Sequence, residues 1–437
     1  MSESRIYLDN AATTKVDPKV LAEMVPYFTE KYGNASSPHS AGSEAKEALE
    51  ESRARVAALI NASPEEVIFT SGGTESDNLA IFGIAMKKGK GHIITSAIEH
   101  PAVLNACEYL EKNGFQVTYA PVDSEGIVKL DALERSIKPD TFLISVMQAN
   151  NEIGSIQPIR AISELAKAKG ILVHTDAVQS AGKIGVDVNS LGVDMLSMSS
   201  HKIHGPKGVG ALFLKKGVQI MPISRGGGHE KSLRSGTENV SGIVGFGAAA
   251  KLGKESMGKM EQVKKMRDKL MEGLLKVEDT LLNGSRAKRL PHNLNVSFKF
   301  IEGEGLLLLL DAEGICVSTG SACSSKSLKP SHVLLSIGRS PEDAHGSLRL
   351  TLSKFNTDGE MGIVLEAVPR AVERLRSISP FKSDSQIKQF SDKHATSEDD
   401  EHPVAKSLMR QSNSKQEQVF GCLHQVSFIF SCRHSIR

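Results

Sequence analysis

Short apolar and β-branched runs alternate with helical patterns from the N-terminus to about residue 255. Residues 65–73, EEVIFTSGG, have the pattern of a strand that runs into a glycine turn. Residues 75–89, with Gly89 after two lysines, have that of the helix that follows. A strand–helix–strand order predicts a largely parallel sheet covered by helices on both faces, with ligands beyond the carboxyl ends of its strands. Further predicted strands lie in 91–101, 115–123, 141–151, 170–179, 193–202 and 209–216, and a further helix in 162–170.

The pattern changes between about residues 256 and 375. A charged helix is predicted at 260–277, followed by a strand in HNLNVSFKF, a helical leucine run at 306–310, a strand in GSLRLTLSKF and a last amphipathic helix. This order predicts a smaller α+β domain. After about Pro380 the chain becomes polar and carries an acidic block, so residues 381–437 are predicted to form a disordered tail.

The composition limits the classes of function. The 437 residues are 40% hydrophobic, and 53 basic against 51 acidic side chains leave a formal charge of +2, which argues neither for nor against a polyanionic partner. No apolar run reaches the roughly 18 residues of a membrane span, and the N-terminus lacks the apolar segment of a signal peptide. The five scattered cysteines do not form a disulfide framework, so we expect a cytoplasmic location.

One lysine stands out by its context. Lys202 lies in SMSSHKIHGPKG, just past the predicted strand VDML and among glycine and proline turns. A lysine held at a strand end, with Ser199 and His201 beside it, suits Schiff-base formation with an aldehyde. The alternative is a solvated loop lysine without a chemical role.

The turn TSGGTES, residues 70–76, leaves a strand and opens a helix. Backbone N–H groups at a helix N-terminus form an anion site, to which Gly73 allows close approach and Thr74 adds a hydroxyl donor. The spacing differs from the Walker A pattern, which favours a single phosphate ester over a nucleotide. A simple strand-to-helix connector would have the same sequence pattern.

Three further strand ends carry polar side chains. Asp176 could pair with a protonated pyridine nitrogen and Gln179 follows it closely, although aspartate is also an ordinary helix N-cap. His100 could lie flat on a cofactor ring and move protons, or it could be a capping or packing residue. Asn151 could donate a hydrogen bond to a ring oxygen.

Taken together, these motifs resemble one family. YLDNAATT, TSGGTESDNLAI, EHPA, NNEIG, HTDAVQ, SHKIHGPKG, GGGHEKSLRSGTEN and STGSACSS occur in one order. In this respect the chain resembles the pyridoxal-phosphate-dependent cysteine desulfurases of the NifS/IscS type, from about Ile6 to about Ser379. The resemblance implies an α/β protein of fold-type I, with a large domain at 15–255 and a small domain formed by 1–14 plus 256–380 that carries the cysteine loop.

The resemblance also implies roles for individual residues. Lys202 would bind pyridoxal phosphate covalently, Asp176 would face the pyridine nitrogen and His100 would stack on the ring. Gln179 and Asn151 would meet the phenolic oxygen, and Arg349, together with Asn151, would bind the substrate. The phosphate ligands would be Gly73, Thr74, Ser199 and His201, with Thr237 reaching the phosphate of a neighbouring subunit in a homodimer. Cys323 would be the nucleophile and is also a candidate ligand of a transient iron–sulfur cluster, while Cys107 and Cys316 would be structural thiols.

The implied reaction converts L-cysteine to L-alanine and leaves the sulfur as a persulfide on Cys323. The implied partners are an iron–sulfur scaffold protein or another sulfur acceptor, with no direct nucleic-acid contact and no membrane. Two alternatives stay open: another class V aminotransferase or amino-acid lyase, including a selenocysteine lyase, and a non-catalytic module that keeps the fold.

The end of the chain departs from the family pattern. Its last apolar stretch contains the pairs Cys422/His424 and Cys432/His434. Two Cys-x-His pairs could supply four zinc ligands, whereas an incidental tail is the alternative. We expect no resident metal elsewhere in the chain.

Overall fold

The computed structural model describes residues 5–319, 329–381, 383 and 386. Its strands are β1 Ile6–Tyr7, β2 Val67–Thr70, β3 His92–Ser96, β4 Gln116–Ala120, β5 Thr141–Ser145, β6 Leu172–Asp176, β7 Met195–Ser199, β8 Gly210–Leu214, β9 Thr280–Leu282, β10 Asn293–Phe298, β11 Ile315–Cys316 and β12 Ser347–Thr351. Its α-helices are α1 Pro18–Met24, α2 Pro26–Thr29, α3 Ser40–Leu59, α4 Gly73–Lys88, α5 Pro101–Lys112, α6 Leu130–Arg135, α7 Ile159–Lys167, α8 Val188–Leu191, α9 Val240–Glu255, α10 Met260–Leu274, α11 Gly303–Ala312, α12 His332–Ser336, α13 Pro341–His345 and α14 Asp358–Ile378.

A seven-stranded sheet forms the larger part of the fold, in the order β2-β8-β7-β6-β5-β3-β4. Strands β4, β3, β5, β6 and β7 are parallel, whereas β8 runs antiparallel to both β7 and β2. Strands β3, β5 and β7 are buried at every position, because separate apolar clusters cover the two faces of the sheet. The carboxyl ends of the parallel strands therefore meet at one edge of the sheet.

A smaller antiparallel sheet, β12-β10-β9, packs against helices to form a second hydrophobic core. Helices α10, α11 and α14 contribute Leu270, Leu306 and Val368 to its apolar core, and Leu8 from the N-terminal segment joins them. The two-stranded parallel pair β1–β11 brings the start of the chain to this core. The N-terminal segment then runs from the small core towards the large sheet.

The alternating pattern predicted these elements well. Each of the seven predicted strands of the first 255 residues is confirmed, and the predicted helices at 75–89 and 162–170 correspond to α4 and α7. In the later part of the chain, α10, β10, α11, β12 and α14 confirm the expected α+β order. The sheet is mixed rather than wholly parallel, because the last strand, β8, returns directly from β7 and pairs with it antiparallel.

No helix within the described ranges is long and apolar enough to cross a membrane. The same residues contain no group of three or more His, Cys, Asp or Glu side chains suited to a metal ion. Cys323 and the pairs Cys422/His424 and Cys432/His434 lie outside the described residues.

Candidate active site

Most of the predicted site residues lie at or just beyond strand ends on one edge of the large sheet. Asp176 ends β6, Ser199 ends β7, and Lys202 closes the 3-10 turn that follows β7. Gly73 begins α4 after β2, and His100 caps the N-terminus of α5 after β3. The topology thus brings residues that are far apart in the sequence to the same edge of the large sheet.

Lys202 lies against the N-terminal segment. Its Nζ donates to the carbonyl oxygens of Ala11 at 2.6 Å and Ala12 at 2.8 Å. The Gln179 Nε2 also donates to the Ala11 oxygen, at 3.0 Å, so that one backbone carbonyl joins both side chains. Burial, and then the charge of Lys202, lower the pKa of His100 to about 4 and that of His201 to about 4, so both imidazoles are neutral at pH 7.

Asp176 is buried at the end of β6. Its Oδ1 accepts a hydrogen bond from the backbone N–H of Val178 at 2.8 Å. Burial raises the pKa of this carboxyl, and the positive charge of Lys202 acts in the opposite direction. A cation next to Asp176 would stabilise its ionised form, as a protonated pyridine nitrogen would.

A second buried carboxyl lies behind Asp176. The Asp77 Oδ1 is 3.6 Å from the Nε2 of His174, and burial together with the charge of Asp176 raises the pKa of Asp77. His174 is held by two hydroxyls, Ser145 at 2.9 Å and Ser197 at 3.0 Å. Asp77 and His174 were not among the predicted site residues, although Asp77 lies in TSGGTESDNLAI and His174 in HTDAVQ.

The expected phosphate end of the site contains an unsatisfied hydroxyl. The Ser199 side chain is 4% exposed, and its Oγ has no hydrogen-bond partner among the described residues. A Cβ placed on Gly73 would lie 3.7 Å from the Cβ of Ser199 and only 2.7 Å from a methyl of Val178, so glycine is required for this close packing. The Nδ1 of His201 lies 3.1 Å from the Thr13 hydroxyl, and Thr74 is exposed in the first turn of α4.

Arg349 on β12 reaches the site from the small sheet. Its Nη1 donates to the Asn151 carbonyl oxygen at 3.2 Å, and its Nη2 pairs with Asp9 at 2.9 Å. The side chain is 2% exposed, and its Nε has no partner in the described structure. A buried guanidinium with a free N–H can bind a substrate carboxylate.

Glu152 was not predicted from the sequence. It is buried beside Asn151, and its carboxylate accepts a hydrogen bond from the Ser331 hydroxyl at 2.5 Å. Burial raises its pKa to about 7, which the bond from Ser331 and the charge of Arg349 partly offset. Its position within NNEIG was the one sequence signal that pointed to it.

Two predicted residues are not joined to this group. Thr237 is exposed after the turn Glu230–Ser232, and no hydrogen bond within the described chain links it to the other predicted residues. Cys323 lies outside the described residues.

Two other thiols were expected to be structural. Cys107 is fully buried, and Cys316 in β11 is partly exposed; the pKa of each thiol is raised.

Comparison with known proteins agrees with this geometry. The model of the family "Aminotransferase class-V" matches residues 6–363. "Cysteine desulfurase IscS 1" of Archaeoglobus fulgidus is 51% identical over 379 residues, which is 86% of this chain and 99% of that protein. The chain belongs to the cysteine desulfurases of the class V aminotransferase family.

Solved structures support the same assignment. A solved "NIFS-LIKE PROTEIN" superposes with a TM-score of 0.81 at 43% identity, covering 85% of this chain and all of that one (100%). "SspA in complex with cysteine" superposes with a TM-score of 0.72 at 36% identity, covering 81% of this chain and 100% of the other. The fold is that of the NifS-like, fold-type I pyridoxal-phosphate enzymes, and the family depends on this cofactor.

The described residues fit the cofactor. The unsatisfied Ser199 hydroxyl and the N-terminus of α4 suit a phosphate, Asp176 suits a pyridine nitrogen, and Lys202 suits an aldehyde.

Proposed function

We propose that this enzyme converts L-cysteine to L-alanine and transfers the substrate sulfur to the thiol of Cys323 as a persulfide. The observation that carries the proposal is the convergence of Lys202, Asp176 and Arg349 at one edge of the sheet, in a chain that resembles cysteine desulfurases over most of its length. The solved complex of SspA with cysteine supports the same substrate class.

Each residue has a proposed task. Lys202 would bind the aldehyde of pyridoxal phosphate, and the phosphate would be bound by Gly73, Thr74, Ser199 and His201, with Thr237 of a second subunit. Asp176 would accept a hydrogen bond from the pyridine nitrogen, while Gln179 and Asn151 would hydrogen-bond the phenolic oxygen. When bound, the cofactor supplies an electron sink for the bonds at the substrate Cα.

The remaining residues act on the substrate. Arg349 binds the carboxylate, because its Nε is a buried donor and a guanidinium can form a bidentate pair with a carboxylate. His100 would lie against the cofactor ring and move a proton: its lowered pKa of about 4 keeps the imidazole neutral at pH 7, and because its Nδ1 accepts the Ala102 N–H at 3.1 Å, its Nε2 carries the proton. The Cys323 thiolate attacks the substrate sulfur: an S–S bond forms, the substrate C–S bond breaks, and its electron pair stays with the carbon skeleton that becomes alanine.

The proposal extends to assembly and location. We propose a homodimer with shared sites in the cytoplasm, which delivers sulfur to an iron–sulfur scaffold protein or another acceptor. The exposure of Thr237 supports a contact with a second subunit. The division into a domain at 15–255 and one formed by 1–14 plus 256–380 also stays a proposal, supported by the separate apolar core around β10 and β12.

Two variants test the function. The Lys202→Ala protein should lose the visible absorbance of the bound cofactor and all desulfurase activity. The Cys323→Ala protein should retain that absorbance but form neither sulfide nor alanine from L-cysteine. Cysteine turnover at the wild-type rate by Cys323→Ala would favour a class V lyase that needs no thiol, and would overturn the persulfide step.

A further inference from the structure

A small cavity lies between the large and small sheets, next to Lys202. The N-terminal segment near Asn10, the turn after β6 at Lys183, the junction of α9 and α10, and the end of β12 enclose it. It offers about 40 Å³ to the centres of water-sized molecules, which is enough for a few waters or one small ion. Lys202 is the only residue that it shares with the proposed cofactor ligands.

His292 is an unsatisfied polar group in the wall of this cavity. It is 1% exposed, and neither of its ring nitrogens has a hydrogen-bond partner among the described residues. A neutral imidazole always has one N–H donor, so at least one donor here lacks an acceptor. Buried donors in native proteins almost always have a partner, which indicates that the cavity holds one.

Lys183 is a second buried donor in the same wall. It is 8% exposed, and its Nζ donates one hydrogen bond within the described chain, to the Gln179 Oε1 at 3.3 Å. An ammonium group has three N–H donors, so two need further acceptors. Burial, and then the charge of Lys202, lower the pKa of Lys183 to about 7, which indicates that no negative charge among the described residues balances this group.

The charges around the cavity have one sign. Three lysines, Lys183, Lys202 and Lys354, line it together with His204, whose pKa burial lowers to about 4, and none of the lining residues that the structure describes is acidic. Lys354 is paired with Asp17, and Lys202 donates to the backbone carbonyls of Ala11 and Ala12. Among these lysines, Lys183 is thus the one whose hydrogen-bond acceptor within the described chain is a single side-chain amide oxygen, that of Gln179.

We propose that this cavity is a binding site for a small monovalent anion of about the size of chloride, held between the Lys183 Nζ and the His292 ring. Water could accept the same hydrogen bonds but would leave the buried charge unbalanced, whereas buried charges in proteins are normally paired. The bound anion keeps Lys183 charged. The Lys183 Nζ also donates to the Gln179 Oε1, and Gln179 shares the Ala11 carbonyl acceptor with Lys202.

Bromide is the probe for the test. Crystals of the holoenzyme grown without chloride and soaked in sodium bromide should show an anomalous peak in contact with Lys183 and His292. The peak should be absent from Lys183→Met and from His292→Leu crystals soaked in the same way. It should persist in Lys254→Met, because Lys254 is an exposed lysine near the same helix junction that donates to the Ala58 carbonyl.

Anion binding can also be measured in solution by 35Cl NMR. The 35Cl NMR line of a chloride solution should broaden with the wild-type holoenzyme and sharpen when bromide competes. The excess broadening should fall at least fivefold in Lys183→Met or in His292→Leu, whichever of the two folds, and should be unchanged in Lys254→Met. Density that refines as water without an anomalous signal would overturn the proposal. So would a peak of equal height in Lys183→Met, which would indicate an adventitious ion only. Neither measurement requires turnover, so a failure here is distinguishable from a failure of the desulfurase proposal.

Discussion

Ser318 and Arg349 face each other across an antiparallel backbone bridge. The Ser318 N–H donates to the Arg349 oxygen at 3.2 Å, and the Arg349 N–H donates to the Ser318 oxygen at 2.7 Å. Ser318 opens the motif STGSACSS, which contains Cys323. One backbone pair therefore joins the proposed carboxylate-binding arginine to the start of the proposed sulfur-accepting motif. The proposed substrate-binding residue and the start of the proposed sulfur-accepting motif are thus both held by the same strand, β12.

Arg349→Lys should raise the KM for L-cysteine by roughly 10- to 100-fold, because a lysine cannot form the bidentate pair with a carboxylate. The measurement is steady-state alanine formation at several cysteine concentrations. Arg339→Lys is the matched control, since Arg339 is a partly buried arginine that donates to Asn283 and Leu282. An unchanged KM in Arg349→Lys would remove this residue from the substrate site.

Ser199→Ala should weaken pyridoxal phosphate binding about 5- to 10-fold, because the buried hydroxyl is a hydrogen-bond donor of ordinary strength to the phosphate. Cofactor affinity can be measured by titrating the apoenzyme and following the visible absorbance. Ser163→Ala is the control, since the Ser163 hydroxyl on α7 is also buried without a partner among the described residues. Equal effects of the two variants would show that the Ser199 hydroxyl does not bind the phosphate.

Arg53 and Glu230 form a buried bidentate ion pair, with both N–O distances at 2.8 Å. Glu230 also accepts the backbone N–H of Phe69 and lies in a turn whose residues have positive φ. Arg53→Met should lower the free energy of unfolding by about 3–5 kcal/mol, because it leaves an unpaired buried carboxylate. Denaturant unfolding measures this loss.

The double variant Arg53→Met/Glu230→Gln tests the cause. Glutamine keeps an acceptor for Phe69 but carries no charge, so the double variant should be more stable than Arg53→Met alone. A double variant that is less stable than the single one would contradict an origin in the unpaired charge.

His92 should make stability depend on pH. Burial lowers its pKa from 6.5 to about 4, and the charge of Lys138 adds to the effect. Because the unfolded chain binds the proton more readily, this contribution is complete above pH 6.5 and is lost as the pH falls towards 4. The size is on the order of 3 kcal/mol.

Denaturant unfolding at a series of pH values checks this expectation. His92→Gln can keep hydrogen bonds to the Thr118 and Thr141 hydroxyls but does not titrate, so its loss of stability between pH 6.5 and 4 should be smaller than that of the wild type. His100, His174, His201 and His204 have pKa values lowered in the same direction, so a residual slope is expected. Parallel curves for the two proteins would show that His92 does not contribute.

The sequence predicted the large sheet because each buried strand is a short apolar run bounded by glycine or polar residues. It could not predict the direction of β8, since direction depends on the connection and not on residue type. It also missed the pairing of Arg53 with Glu230, because two charged residues far apart in the chain carry no local pattern.

The candidate site also has features that the sequence predicted and features that it could not predict. Asp176, Ser199 and Lys202 were predicted because each follows a recognisable strand. Their link to the N-terminal segment, through the carbonyl oxygens of Ala11 and Ala12, could not be predicted because backbone acceptors leave no sequence signal. The free hydrogen-bonding groups of Ser199, Arg349 and His292 likewise became visible only once burial was known.

In the proposed reaction, the thiol of Cys323 accepts the substrate sulfur. The most direct measurement is peptide mass spectrometry after incubating the holoenzyme with L-cysteine and blocking free thiols. Fragmentation of the peptide that carries both Cys316 and Cys323, which no lysine or arginine separates, should locate a gain of about 32 Da, one sulfur atom, on Cys323, with no gain on Cys316 or on Cys107. A gain on Cys316 or Cys107 instead, or alanine formation with no gain on Cys323, would contradict the account.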